Sequence, residues 1–123
     1  MSLLVCAYVF VPETNTTVAI NEQPKAPFNN LFGFESWRQT VWDSPILRKH
    51  NCTLLNSLSS QDIYAGDAVL LQLQNELEVI KEHIDQITDE LNLHKESFAF
   101  RIDNAFEAIR IAQKVTNGIV YIG

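Results

Sequence analysis

Three groups of side chains in this sequence have types and spacings that could do chemistry. Glu78, Glu82, Asp85 and Asp89 follow one another at +4, +3 and +4, so they share one face of a helix. Glu76 and Glu90 flank that stripe, and Lys81 is the only cation within the run. General acid/base work needs something to raise one carboxyl pKa, and a stripe facing water supplies nothing of the kind. Two other readings stand: a solvated face, or an acidic surface for a basic protein partner. His50 and Cys52 form the second group. They suggest a metal site or a nucleophile with its base, but His83 and His94 are isolated and neither HExxH nor CxxC occurs. The alternative is a cation at a helix C-terminus beside a buried thiol. Trp37, Arg38, Trp42 and Asp43 are the third group, and Trp and Arg are favoured in binding hot spots. Asp62 and Tyr64 either extend that site or serve as turn and packing residues.

The elements that must position these groups follow from periodicity. Leu3 to Val11 is apolar on both parities, which predicts a strand covered on both faces and central in its sheet. Pro12 to Asn15 reads as a turn, and Thr16 to Ile20 as an antiparallel neighbour. Asn21 to Gly33 is a long loop carrying Phe28, Leu31 and Phe32, which either plug the core or form an exposed apolar contact surface. Phe34, Trp37 and Val41 at i, i+3 and i+7 predict a short amphipathic helix over Glu35 to Trp42, which leaves Trp42 as the surface tryptophan. Ser44-Pro45 opens a further helical turn, Ile46 to His50. Cys52 to Leu55 reads as extended, and Asn56 to Gly66 as turn-rich.

Leu70, Leu73, Leu77, Ile80, Ile84, Ile87 and Leu91 repeat at 3-4-3-4-3-4, which predicts one helix from about Ala68 to Leu91, capped by Asp67. Phe98, Ile102, Ala105, Ile109, Ala112 and Thr116 repeat that spacing, and Asn117-Gly118 is expected to end this second helix with Gly in the left-handed conformation. The short link from Asn92 to Glu96 predicts an antiparallel helical hairpin. Ile119 to Ile122 reads as a closing strand beside the first. The expected architecture is a single α+β domain over residues 1–123, with a small sheet packed on a long helical hairpin. The N-terminal strand is central, with the hairpin strand and the C-terminal strand beside it.

Composition bounds the function. The chain has 123 residues, 46% hydrophobic, with nine Lys and Arg against fifteen Asp and Glu, a formal charge of −6. That length buries roughly two thirds of the extended surface, so no disulfide or metal staple is required. The acidity disfavours nucleic acid, whose phosphates need cations. The four glycines, at 33, 66, 118 and 123, form no phosphate-binding loop. The N-terminal apolar run lacks a preceding Lys or Arg and a following small-residue cleavage site, and its nine residues are too few to cross a bilayer. A reduced, cytoplasmic protein that neither enters a membrane nor uses a cofactor is the expectation.

The order of these pieces resembles small bacterial immunity proteins that neutralise polymorphic toxins. The resemblance rests on the N-terminal apolar strand, Phe34-x-x-Trp37-Arg38, a turn Ser59-Ser60-Gln61-Asp62, a helix with Leu73-x-x-Glu76-Leu77-x-x-Ile80, and Asn104-Ala105 through Ile111-Ala112 leading to a closing strand. It implies a non-enzymatic protein that works by occluding a toxin. The expected function is accordingly a non-catalytic protein-binding module using Glu78, Glu82, Asp85, Asp89, Phe28, Phe32, Trp42, Asp62 and Tyr64. Two alternatives remain: a structural homodimer through the helical hairpin, or a small-molecule or enzymatic site near Trp37, Arg38 and Asp62.

Overall fold

A computed structural model describes all 123 residues. The apolar N-terminal run forms β1 (Ser2–Val11), and Thr16–Ala19 returns beside it as β2. The remaining strands are β3 (Leu31–Phe34), β4 (Ile63–Gly66) and β5 (Gly118–Ile122). All pairings are antiparallel, in the order β2-β1-β5-β4, with β3 also paired to β1. Along one edge of β1, Leu4 N–H donates to Gly123 and Phe10 N–H to Asn117, at the two ends of β5. Val5 N–H points to the opposite edge and donates to Asn30. β3 and β2 therefore share that second edge, β3 near Ser2–Leu4 and β2 near Tyr8–Val11.

The helical layer contains α1 (Pro45–Lys49), α2 (Thr53–Asn56), α3 (Asp67–Glu82), α4 (Ile84–Leu91) and α5 (Lys95–Gln113). Gln74 bonds Gln113, Lys81 pairs with Asp103 and Asp85 with Lys95, so α3 and α4 run antiparallel to α5. Leu73, Leu77, Ile80 and Ile87 of the heptad seam are fully buried, together with Phe98, Ile102 and Ala105 of α5. The seam is thus occupied within the chain, and a dimer would need another surface.

Several expected elements differ. The helix over 68–91 is broken at His83, whose backbone leaves the helical region (φ −109°, ψ 25°) and whose ring stacks on His50 at 4.4 Å. Cys52–Leu55 is not extended: Thr53–Asn56 is helical because a carboxylate from α3 reaches its free N–H groups, as described below. The turn-rich segment contains β4, and the 21–33 loop ends in β3. Asp67 begins α3 but no side chain caps it. Asn117, at φ +60°, takes the left-handed position assigned to Gly118. Gly118 instead lies against the Ala112 carbonyl, which a Cβ would meet at 1.9 Å.

β1 is central, but helices cover only one of its faces. Leu3 and Val5 are buried, while Leu4, Cys6, Tyr8 and Phe10 on the other parity are half-buried by their lateral neighbours.

Gly33 ties β3 to the aromatic core. It sits at φ +116°, where L side chains are strained, and a Cβ would fall 2.3 Å from the Trp37 ring. Gly33→Ala should lower stability by roughly 1–3 kcal/mol in urea unfolding. An unchanged midpoint would refute this account of the β3 packing.

Candidate functional site

The uncovered sheet face carries an aromatic row. Cys6 and Tyr64 are both cross-strand partners of Tyr121, so the three side chains project together from β1, β5 and β4. The Tyr8 ring meets that of Tyr121 edge-on at 6.2 Å, and Tyr64 lies 5.0 Å from it. Tyr64 is 63% exposed. The Tyr121 hydroxyl donates to Asp62 Oδ2 at 2.9 Å, and Asp62 Oδ1 accepts from Arg38 Nη2 at 2.7 Å. Arg38 also donates to the Leu58 carbonyl and to Glu35. Arg38, with help from Tyr121, holds the Asp62 carboxyl below the usual carboxylate range. Burial and the Asp62 carboxylate push Tyr121 up to about 12, so its hydroxyl is protonated at neutral pH. Arg38 faces two carboxylates, which leaves this rim with a net negative charge.

Three expected site residues, Arg38, Asp62 and Tyr64, are therefore joined, and the group joining them is Tyr121. Reading Ile119–Ile122 only as a strand missed it. The available signal was a tyrosine within an apolar strand run, repeated at Tyr8, Tyr64 and Tyr121.

Two aromatic candidates are not at the surface. Trp42 is fully buried, whereas Trp37 is half-buried, the reverse of the expectation. Residues Arg38–Trp42 form a π-helical turn, whose i→i+5 repeat brings Trp37 and Trp42 onto one face, with ring centroids 6.0 Å apart. Phe32 is also fully buried, since its place in β3 turns it inward onto Trp42 at 4.4 Å. Phe28 is half-buried against Phe100. Trp42 and Phe32 belong to the core, whereas Phe28 lies outside it. Glu78, Glu82, Asp85 and Asp89 are all exposed, and of the four only Asp85 pairs with a cation, Lys95, at 2.7 Å.

Cys52 is fully buried, and its thiol is pushed up to about 12 by burial and by Glu76. Burial, and next the stacked His83, hold His50 below the ordinary histidine value. No group of three or more His, Cys, Asp or Glu is placed to share a metal ion. Both cysteines are free thiols, and no helix is long and apolar enough to cross a membrane.

Three polar residues absent from the expected set are structurally decisive. Buried Glu76 of α3 accepts the Leu54 and Leu55 N–H groups, each at 3.0 Å, and so caps α2 from outside. Glu107 of α5 accepts the Lys25 N–H at 2.8 Å, and Asn104 accepts that of Asn29 at 3.0 Å. Asn104 Nδ2 donates to the Leu31 carbonyl, and Arg110 bridges Glu107 and Glu22. These bonds strap residues 22–31 across α5. Compared with known protein families, with curated proteins and with solved structures, the chain matches none.

Arg110 foremost, with the Lys25 N–H, lowers the Glu107 pKa to about 2. A depressed carboxyl pKa adds stability that is fully present above the unfolded value of about 4.5 and is lost as pH falls through about 2. Glu107→Gln should reduce stability at pH 7 by roughly 1–3 kcal/mol and flatten its decline between those pH values. Urea melts across that range decide it: curves falling in parallel for both proteins would contradict the assignment.

Proposed function

We propose that this chain is a non-catalytic protein-binding module that contacts a basic protein through the tyrosine face of its sheet. The observation carrying this reading is the contiguous row Tyr8, Tyr121 and Tyr64 on the face that no helix covers. Such a patch, apolar at its centre and rimmed by Asp62, Arg38 and Glu35, has the anatomy of a protein contact surface. Tyrosine contributes large contact area with few rotatable bonds, and its ring face attracts cations. The rim is net negative, and the whole chain carries −6, so the complementary partner is basic.

The acidic flank of α3 and α4 belongs to the helical layer and adds to the field that draws such a partner in. Arg38 and Asp62 bond groups of their own chain, and this engagement supports a positioning role in preference to a reactive one. Occlusion of a toxin, the role implied by the immunity-protein resemblance, uses a surface of this kind and needs no bond-making step.

The test is affinity capture from the source cells with three baits: the native chain, Tyr64→Ala, and Glu82→Lys with Asp89→Lys. The native chain should retain a basic protein that salt elutes. Tyr64→Ala should weaken retention about tenfold, equivalent to the loss of one hot-spot residue. The charge-reversed pair should mainly slow association, most visibly at low salt. Equal retention and equal association rate on all three baits, or no protein on the native chain, would overturn the proposal.

A further inference from the structure

A second site lies where the edge of β1 is shared. β3 pairs with β1 as far as Leu4, and β2 begins pairing at Tyr8, so residues 5–7 lie between two partner strands. The chain from Ile20 to Asn30 bridges this gap and encloses a half-open cavity of about 380 Å³. Its floor includes Val5 and Ala7 of β1, and its inner wall Ala108 and Ile111 of α5. This volume falls within the range of small-molecule pockets, roughly 300–1,000 Å³.

An empty gap over the side chains of Val5 and Ala7 would be expected to close, because a bridging segment gains dispersion energy by settling on that floor. The bridge is held in place by groups that point elsewhere. Its Lys25 N–H goes to Glu107, its Asn29 N–H to Asn104, and Glu22 to Arg110 and Lys114. Glu107 and Asn104 are themselves buried, at 8% and 0% exposure, so these anchors are fixed by the helix that carries them. The cavity is preorganised by α5.

The walls also specify the occupant. Glu22 is the only charged residue lining the cavity, and Arg110 and Lys114 occupy its carboxylate oxygens at 2.9 and 3.3 Å. A charged ligand would therefore lose hydration without gaining an ion pair. Hydrogen-bonding groups are nevertheless present. The side-chain amides of Gln23 and Asn30 line the cavity. We infer that this cavity binds an uncharged, ring-sized molecule that combines an apolar face with hydrogen-bonding groups. Cys6 and Tyr8 border both this cavity and the tyrosine face, but the cavity runs on to α5, and neither inference requires the other.

Amide chemical shifts of the ¹⁵N-labelled full chain provide the test, with indole and phenol as neutral probes and benzoate and benzylamine as charged ones. The neutral probes should bind at about millimolar concentration and shift residues 5–8, 19–23 and 108–111. The charged probes should bind about tenfold more weakly or not at all. Ala19 is exposed and lines the mouth, so Ala19→Trp should retain a native spectrum while weakening indole binding about tenfold. Ile20→Trp provides a second obstruction if Ala19→Trp fails to fold. The proposal is overturned by no response to either neutral probe, by shifts elsewhere in the molecule, by benzoate binding as well as phenol, or by full binding to the obstructed variant.

Discussion

The structure depends on how β1 shares its edges. One edge is paired with β5, while β3 and β2 divide the other. The chain leaving β2 must therefore travel along the same edge before β3 can pair, and it cannot add a full strand in between. It passes over the gap as a bridge, and a bridge of that length needs polar partners for its backbone. α5 supplies them from buried positions, Glu107 and Asn104. The long loop, the buried polar groups on the sheet-facing side of α5 and the cavity beneath are consequences of the same topological constraint.

A similar economy explains Glu76. α2 is one turn long and too short to be stable alone, because its N-terminal N–H groups have no helical partners. A carboxylate from α3 receives two of them at 3.0 Å. A charged group binds donors more strongly than a neutral carbonyl does, so one buried glutamate can specify a helix where sequence propensity would not. The adjacent Cys52 then sits against that negative charge in a closed environment, which keeps the thiol protonated.

These anchors mark the boundary of what the sequence reveals. β1, β2 and β5 are legible because β-branched and apolar runs between turn residues have one common solution. α5 is legible from its 3-4 spacing. β4 is not, since Ile63–Gly66 is short and its register depends on pairing with β5 at the far end of the chain. The π-helical turn at Arg38–Trp42 is also hidden: an α-helical repeat assigns Trp42 to the wrong face, and only the packing of Phe32, Phe98 and Trp37 against it selects the wider turn. The roles of Glu76, Asn104 and Glu107 are hidden because a sequence does not show which backbone N–H groups elsewhere lack partners. Asp62 and Tyr64 were legible as a pair, whereas their link through Tyr121 requires the β4–β5 register.

The acidic residues consequently divide by role, and net charge alone misrepresents them. Glu76 and Glu107 bind backbone groups, and Glu35 and Asp62 compensate Arg38. Glu78, Glu82 and Asp89 face water without a cation. Like charges spaced along one helix face repel by a few tenths of a kcal/mol per pair, so this flank does not stabilise the fold that carries it. The sheet presents a similar contrast: its uncovered aromatic row is compatible with folding but is not required by the core, which closes on the opposite side. The features that build the molecule lie between β1 and α5. The two surfaces that the core does not need, one aromatic and one acidic, lie outside that region.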